Sequence, residues 1–142
     1  MTLRPETVRE RLAFVRGNLH DLSAAASLPR QLFLADRKEQ WAAAYGLQIT
    51  AQALLDAGAH ILSGHFKEAP KEYGEIVPQL TRHGVLGAAI GERLAKISGF
   101  RNVLVHEYGA VDYDLVHEKL QNLDDLLAFA AALESWLTGE GL

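Results

Sequence analysis

Apolar residues recur along this chain at helical spacing from close to its first residue. Val8, Leu12, Val15, Leu19, Leu22 and Ala26 follow one another at intervals of 4, 3, 4, 3 and 4, which is one apolar stripe of a long helix. Pro5 suits the first turn of that helix, and Ser27-Leu28-Pro29 marks its end. Asp36 is a cap for a second long helix, whose stripe runs Trp41, Ala44, Leu47, Ala51, Leu54, Gly58, Ile61 and fades by Gly64. Phe66 to Tyr73, with Pro70, reads as a loop. Tyr73, Ile76, Val77 and Leu80 predict a short helix broken near His83-Gly84, and Leu86, Ile90, Leu94 and Ile97 a further one reaching Ser98-Gly99. Phe100 to Tyr108 reads as a compact helical piece closed by Gly109. Asp112 or Asp114 then caps a last helix carrying Val116, Leu120, Leu123, Leu127, Ala130, Leu133 and Leu137. No strand-type alternation, linker, low-complexity segment or repeat interrupts the pattern. The expectation is an all-α, up-and-down bundle of four to five helices, a single domain over residues 1–142.

Composition agrees with the periodicity. Ala (21) and Leu (23) outnumber Val, Ile and Thr together (18), which favours helix over strand. The absence of cysteine excludes a disulfide framework, a thiolate zinc site and a cysteine nucleophile. No apolar run approaches the roughly 20 residues that cross a bilayer, and Met1 to Glu6 contains no apolar signal core, so a cytoplasmic location without membrane contact is expected. The net charge of −4 argues against a general nucleic-acid coat, but the charge is uneven. Residues 1–38 carry seven bases and four acids, residues 39–106 six of each, and residues 107–142 eight acids against Lys119. Between positions 82 and 101, Arg82, Arg93, Lys96 and Arg101 face one acid, Glu92. These cations are either solvated helix faces or a local anion-binding surface.

Chemistry concentrates in one place. His60 and His65 are five residues apart and point to different faces, and His20, His83 and His117 lack metal-type spacing, so neither a metal nor a cofactor is expected. No phosphate-cradling glycine loop or nucleophile elbow is present; Gly46, Gly58, Gly87 and Gly91 sit inside helical pattern and instead suggest close helix approach, including that of a second copy. Arg101-Asn102-Val103-Leu104-Val105-His106-Glu107-Tyr108, however, crowds five polar side chains around an apolar centre. On a helix Arg101 and Tyr108 lie within about 20° of each other, and Asn102 reaches His106 one turn on. Arg101 and His106 diverge by about 140°, so one straight helix does not aim both at one phosphate. A bent chain would, as would a second copy crossing at a two-fold axis. The plainer alternative is a helix end with an Asn–His hydrogen bond and surface ions.

Arg101-x4-His106-x-Tyr108 resembles the signature of the HepT-like toxins, a branch of the HEPN superfamily. The likeness extends to Tyr45-Gly46-Leu47-Gln48-Ile49-Thr50-Ala51-Gln52-Ala53-Leu54-Leu55-Asp56, to His60-Ile61, to Pro70-x-x-Tyr73-Gly74-Glu75 and to Val111-Asp112-Tyr113, covering most of residues 5–137. The resemblance implies a HEPN-type bundle acting as a metal-independent endoribonuclease, the toxin of a type VII toxin–antitoxin pair, with its cleft at a homodimer interface. It implies catalytic roles for Arg101 and His106, a supporting role for Asn102, and Tyr108 as the residue adenylylated by a minimal nucleotidyltransferase (MNT-type) antitoxin. The residue types suit that chemistry: histidine shuttles protons near neutrality, arginine's fork matches phosphate oxygens, and only RNA offers the 2′-OH, so DNA should resist. Two alternatives remain open at the level of sequence. One is a non-catalytic HEPN module that binds a nucleotide or partner, and the other is a purely structural bundle in which Tyr108 is a buried structural tyrosine.

Overall fold

The computed structural model describes residues 2–97 and 111–142. The helical piece expected over Phe100–Tyr108, and with it Arg101, Asn102, His106 and Tyr108, lies outside the described residues. Among the described residues there are seven α-helices and no strand: α1 (Pro5–Ala26), α2 (Arg30–Leu34), α3 (Arg37–Gly64), α4 (Ile76–Arg82), α5 (Ala88–Leu94), α6 (Tyr113–Leu120) and α7 (Leu123–Gly139). A single 3-10 turn, Tyr73–Glu75, leads into α4.

The two longest helices lie antiparallel. The Arg4 amide donates to His60 Nε2 at 3.0 Å at one end, while Leu22 packs against Gly46 at the other. The last helix runs back along α1, since Arg9 Nε meets Glu134 Oε1 at 3.1 Å and Leu19 and His20 lie beside Leu123 and Leu127. Helix α4 covers the C-terminal half of α3, with Ile76 and Leu80 against Gly58. Helix α6 closes the opposite end. Its Asp114 pairs with Arg30, and the Phe33 and His117 rings sit 5.3 Å apart.

One apolar core joins these elements. It holds Val8, Leu12, Val15, Leu19 and Leu22 from α1, Leu47, Leu54 and Ile61 from α3, and Phe129, Leu133 and Leu137 from α7. Asp36 caps α3 by accepting from the Glu39 amide at 3.2 Å, and of the two candidate caps for α6 it is Asp112 that accepts, from Leu115 at 3.1 Å.

Four expectations need correction. The α1 stripe ends on Ala25, which is buried, rather than Ala26. Trp41, placed on the apolar stripe, is 56% exposed, because the first turns of α3 bury Ala43 and Ala44 and leave Trp41 on the uncovered side. The last helix is two, broken at Gln121-Asn122. That break rotates the pattern, so Leu126 is buried and Leu127 exposed. Helix α2 was not legible, since five residues cannot display a period.

The small residues do serve close approach, but within the chain. A Cβ on Gly46 would lie 2.9 Å from Leu22 Cδ2, one on Gly58 2.8 Å from Leu80 Cδ1, and one on Gly91 would strike Thr81, whereas Gly87 meets nothing. Gly46, Gly58 and Gly91 are therefore spent on internal contacts and do not argue for a dimer. At Gly64 the obstruction is backbone: a Cβ would lie 2.6 Å from both the Leu3 Cα and its nitrogen. Gly17, in the middle of α1, has nothing within 4 Å. Gly64→Ala is therefore expected to destabilise by about 1–3 kcal/mol. Gly17→Ala should stabilise by up to about 1 kcal/mol through helix propensity. Chemical denaturation of the two variants should give opposite signs.

Candidate functional site

The segment 98–110 is tied to the described structure at Ile97 and Val111, and each of these flanks lines a separate surface cavity. The first lies between α5, α6 and α7. Its floor is apolar, made by Leu47, Leu94, Ile97 and Leu126, and its rim carries Arg93, Lys96, Lys119, Asn122 and Asp125. Arg93 Nε is held by Asp125 Oδ1 at 3.2 Å. Three cations against one carboxylate leave this rim positive in a chain whose net charge is −4. A surface of that sign attracts anions.

This rim settles how the cations at positions 82–101 are divided. Arg82 does not join them. It reaches Glu68 Oε1 at 2.5 Å, while His83 Nε2 lies 2.8 Å from the other oxygen. The hydrogen bond from His83, aided by Arg82, holds the Glu68 carboxyl below its ordinary pKa against a smaller opposing effect of desolvation. Arg93 and Lys96 do share a surface, completed by Lys119. Sequence reasoning missed Lys119 because it stands alone in the acid-rich C-terminal third; only the packing of α6 near α5 and α7 brings it to this cavity.

The second cavity, about 500 Å³, opens between α2, the first turns of α3 and the start of α6, and is lined by Leu34, Ala35, Arg37, Gln40, Trp41, Val111 and Tyr113. The Arg37 guanidinium lies over the Trp41 ring, 4.9 Å from its centroid. The surrounding backbone is fixed from several sides. Gln40 Nε2 donates to the Phe33 carbonyl at 3.0 Å, Phe33 is fully buried, and His117 Nε2 lies 3.3 Å from the Leu28 carbonyl oxygen.

Four histidines have structural surroundings. His60 accepts from the Arg4 amide, and desolvation, with Arg11 and Arg4 nearby, lowers its pKa. His65 packs edge-on against Trp136 at 4.8 Å, His83 stacks on Phe66 at 4.2 Å, and His117 lies against Phe33. Among the described residues no three His, Asp or Glu side chains converge as a metal-ligand set. No helix of the described residues is long and apolar enough to cross a membrane.

The chain as a whole has counterparts among known proteins. The family model described as Ribonuclease HepT-like matches residues 16–133, and the chain belongs to that family. The tRNA nuclease HepT of Aphanizomenon flos-aquae is 29% identical over 112 residues, covering 78% of this chain and 75% of its own. Among solved structures, the Bacillus subtilis protein YutE superposes with a TM-score of 0.82 at 20% identity, covering 97% of this chain and 93% of that one. A tri-AMPylated HEPN toxin of Shewanella oneidensis, solved in complex with its MNT antitoxin, superposes with a TM-score of 0.80 at 21% identity, covering 90% and 96%. The fold is thus that of the HEPN toxins.

Lys96 is exposed on the cavity rim. Lys96→Glu should elute from a polyanion resin at lower salt than the unaltered chain. Its folding stability should stay within about 0.5 kcal/mol, as is usual for a surface change.

Proposed function

We propose that the chain is the toxin of a type VII toxin–antitoxin pair, a metal-independent RNA endonuclease acting through Arg101 and His106 in the cytoplasm. The observation that carries this reading is membership of the HepT-like ribonuclease family, with Arg101-Asn102-x3-His106-x-Tyr108 inside the matched span of residues 16–133. The rim of Arg93, Lys96 and Lys119, in a cavity lined also by Ile97 four residues before Arg101, supports it by supplying charge for an RNA backbone.

The chemistry follows from the residue types. His106 takes the proton of a ribose 2′-OH, and the freed oxygen attacks the adjacent phosphorus. The bond to the 5′-oxygen breaks, that oxygen leaves with the proton returned by the His106 imidazolium, and a cyclic phosphate remains. Arg101 balances the charge that builds on the phosphorane. Asn102, one helical turn before His106, orients the imidazole. On a helix, Arg101 and His106 diverge by about 140°, which favours a homodimer in which the Arg101 of one protomer meets the His106 of its partner. One domain spanning residues 1–142 would suffice for each protomer.

Cleavage of single-stranded or loop RNA should proceed in excess EDTA, with a cyclic-phosphate product identified by mass spectrometry. Arg101→Ala and His106→Ala should each lower the rate by about 10²–10³. Activity that survives in His106→Ala, or that needs added Mg²⁺, overturns the mechanism. The 2′-deoxy analogue of the same strand should remain intact.

Tyr108 is the proposed switch. Its phenol attacks the α-phosphorus of ATP presented by an MNT-type antitoxin, pyrophosphate leaves, and the AMP ester places bulk and negative charge near Arg101. Co-expression with a cognate nucleotidyltransferase should add one or more AMP masses that vanish in Tyr108→Phe. Full inhibition with unchanged mass would remove that role from Tyr108.

A further inference from the structure

The described surface carries an aromatic group that the fold does not use. Trp41 is 56% exposed and Tyr45, one helical turn further along α3, is 64% exposed. Large aromatics at helical spacing normally face a core, and the neighbours of these two, Ala43, Ala44 and Leu47, do so. Trp41 instead lines the 500 Å³ cavity, with Arg37 lying across its indole at 4.9 Å, and Tyr45 follows it one turn on along the same helix. Among the described residues no carboxylate is paired with Arg37, so its charge is free to meet an anion. Asp36 and Asp112, next in sequence to the cavity residues Arg37 and Val111, accept from backbone amides at the first turns of α3 and α6. Helix N-termini offset part of their charge there.

We propose that this cavity is a nucleobase subsite: an unpaired base of a single-stranded RNA stacks on the indole of Trp41, and Arg37 holds the phosphate beside it. The inference rests on the ribonuclease reading and names where the strand is gripped away from Arg101 and His106. Three features favour an RNA strand over another protein surface. The first is charge: the exposed ring carries a guanidinium rather than a further apolar group, which suits a base attached to a phosphate. The second is spacing: Trp41 and Tyr45 are separated by about 6 Å along the helix axis, so successive unstacked bases can each find a ring. The third is position: Val111, which lines this cavity, directly follows the segment carrying the signature in the chain. Because a π-face is common to all bases, the subsite is expected to grip the strand with little sequence preference.

The probe is a short, dye-labelled, single-stranded 2′-O-methyl oligoribonucleotide, which has no free 2′-OH and cannot be cleaved. Its binding to the full chain is read by fluorescence anisotropy over a range of salt. Trp41→Ala should weaken binding by about 5- to 150-fold, the range covered by loss of one base–aromatic stack, and Trp41→Phe should restore most of it. Arg37→Ala should lower the slope of log affinity against log salt by about 0.7, the loss of one phosphate contact on a single strand. With cleavable RNA, Trp41→Ala should raise KM and leave kcat nearly unchanged, which a general loss of folding would not do. Unchanged affinity in both alanine variants overturns the subsite even if cleavage is intact. So does a fall in oligomeric size in Trp41→Ala with affinity retained, which would make Trp41 part of a contact between copies. Trp41-dependent binding by a chain that fails to cleave RNA would uphold the subsite and overturn the proposed catalysis instead.

Discussion

The antiparallel seating of α1 on α3 is the constraint on which the remaining packing depends. The two helices come close enough that Leu22 occupies the space of a side chain at Gly46, and the backbone of Leu3 lies against Gly64. Close contact at two places near opposite ends of the pair leaves little freedom to slide or rotate. The apolar stripe of α1 then faces α3 and α7 with Val8, Leu12 and Val15 fully buried. The one buried polar side chain among the described residues, Thr50, is satisfied within α3 by donating to the Gly46 carbonyl at 2.6 Å. The polar atom therefore sits beside a close helix contact at little cost.

With α3 fixed, the positions of both cavities follow. Its first turns carry Arg37, Gln40 and Trp41 into one cavity, while Leu47, two turns on, forms part of the floor of the other. Both flanks of the signature segment are thus referred to a single rigid helix. The break between α6 and α7 contributes as well. Gln121, at that break, donates to the Ala26 carbonyl at 3.2 Å, and Lys119 and Asn122 on either side of it line the positive cavity. A continuous helix would bring other residues to that rim.

Periodicity made the long elements legible. The ends of α1, the Asp36 cap and the loop after Gly64 are all readable because they repeat one geometric rule over many turns. The failures share a different physical origin. Trp41 and Leu127 satisfy the apolar spacing, yet spacing says nothing about whether a partner extends far enough to cover them. The glycines announced close approach without naming what approaches, and three of the four turned out to face their own chain. Among the site residues, the Arg-x4-His-x-Tyr pattern was visible as a motif, but the surrounding cations were misgrouped. Neighbours in sequence, Arg82 and Arg93, end on different carboxylates, while Lys119 joins Lys96 only through folding.

The two tryptophans mark opposite ends of α3. Trp41 stands in solvent near its start, while Trp136 is wedged near its last turn, edge-on to His65 at 4.8 Å and 5.6 Å from Phe66. The molecule thus carries a pair of intrinsic optical reporters in contrasting surroundings, one water-exposed under a guanidinium and one packed among rings. Local opening at either end would change one emission and spare the other, whereas cooperative unfolding would change both together. Fraying of the spine can therefore be told apart from its collapse without any added label.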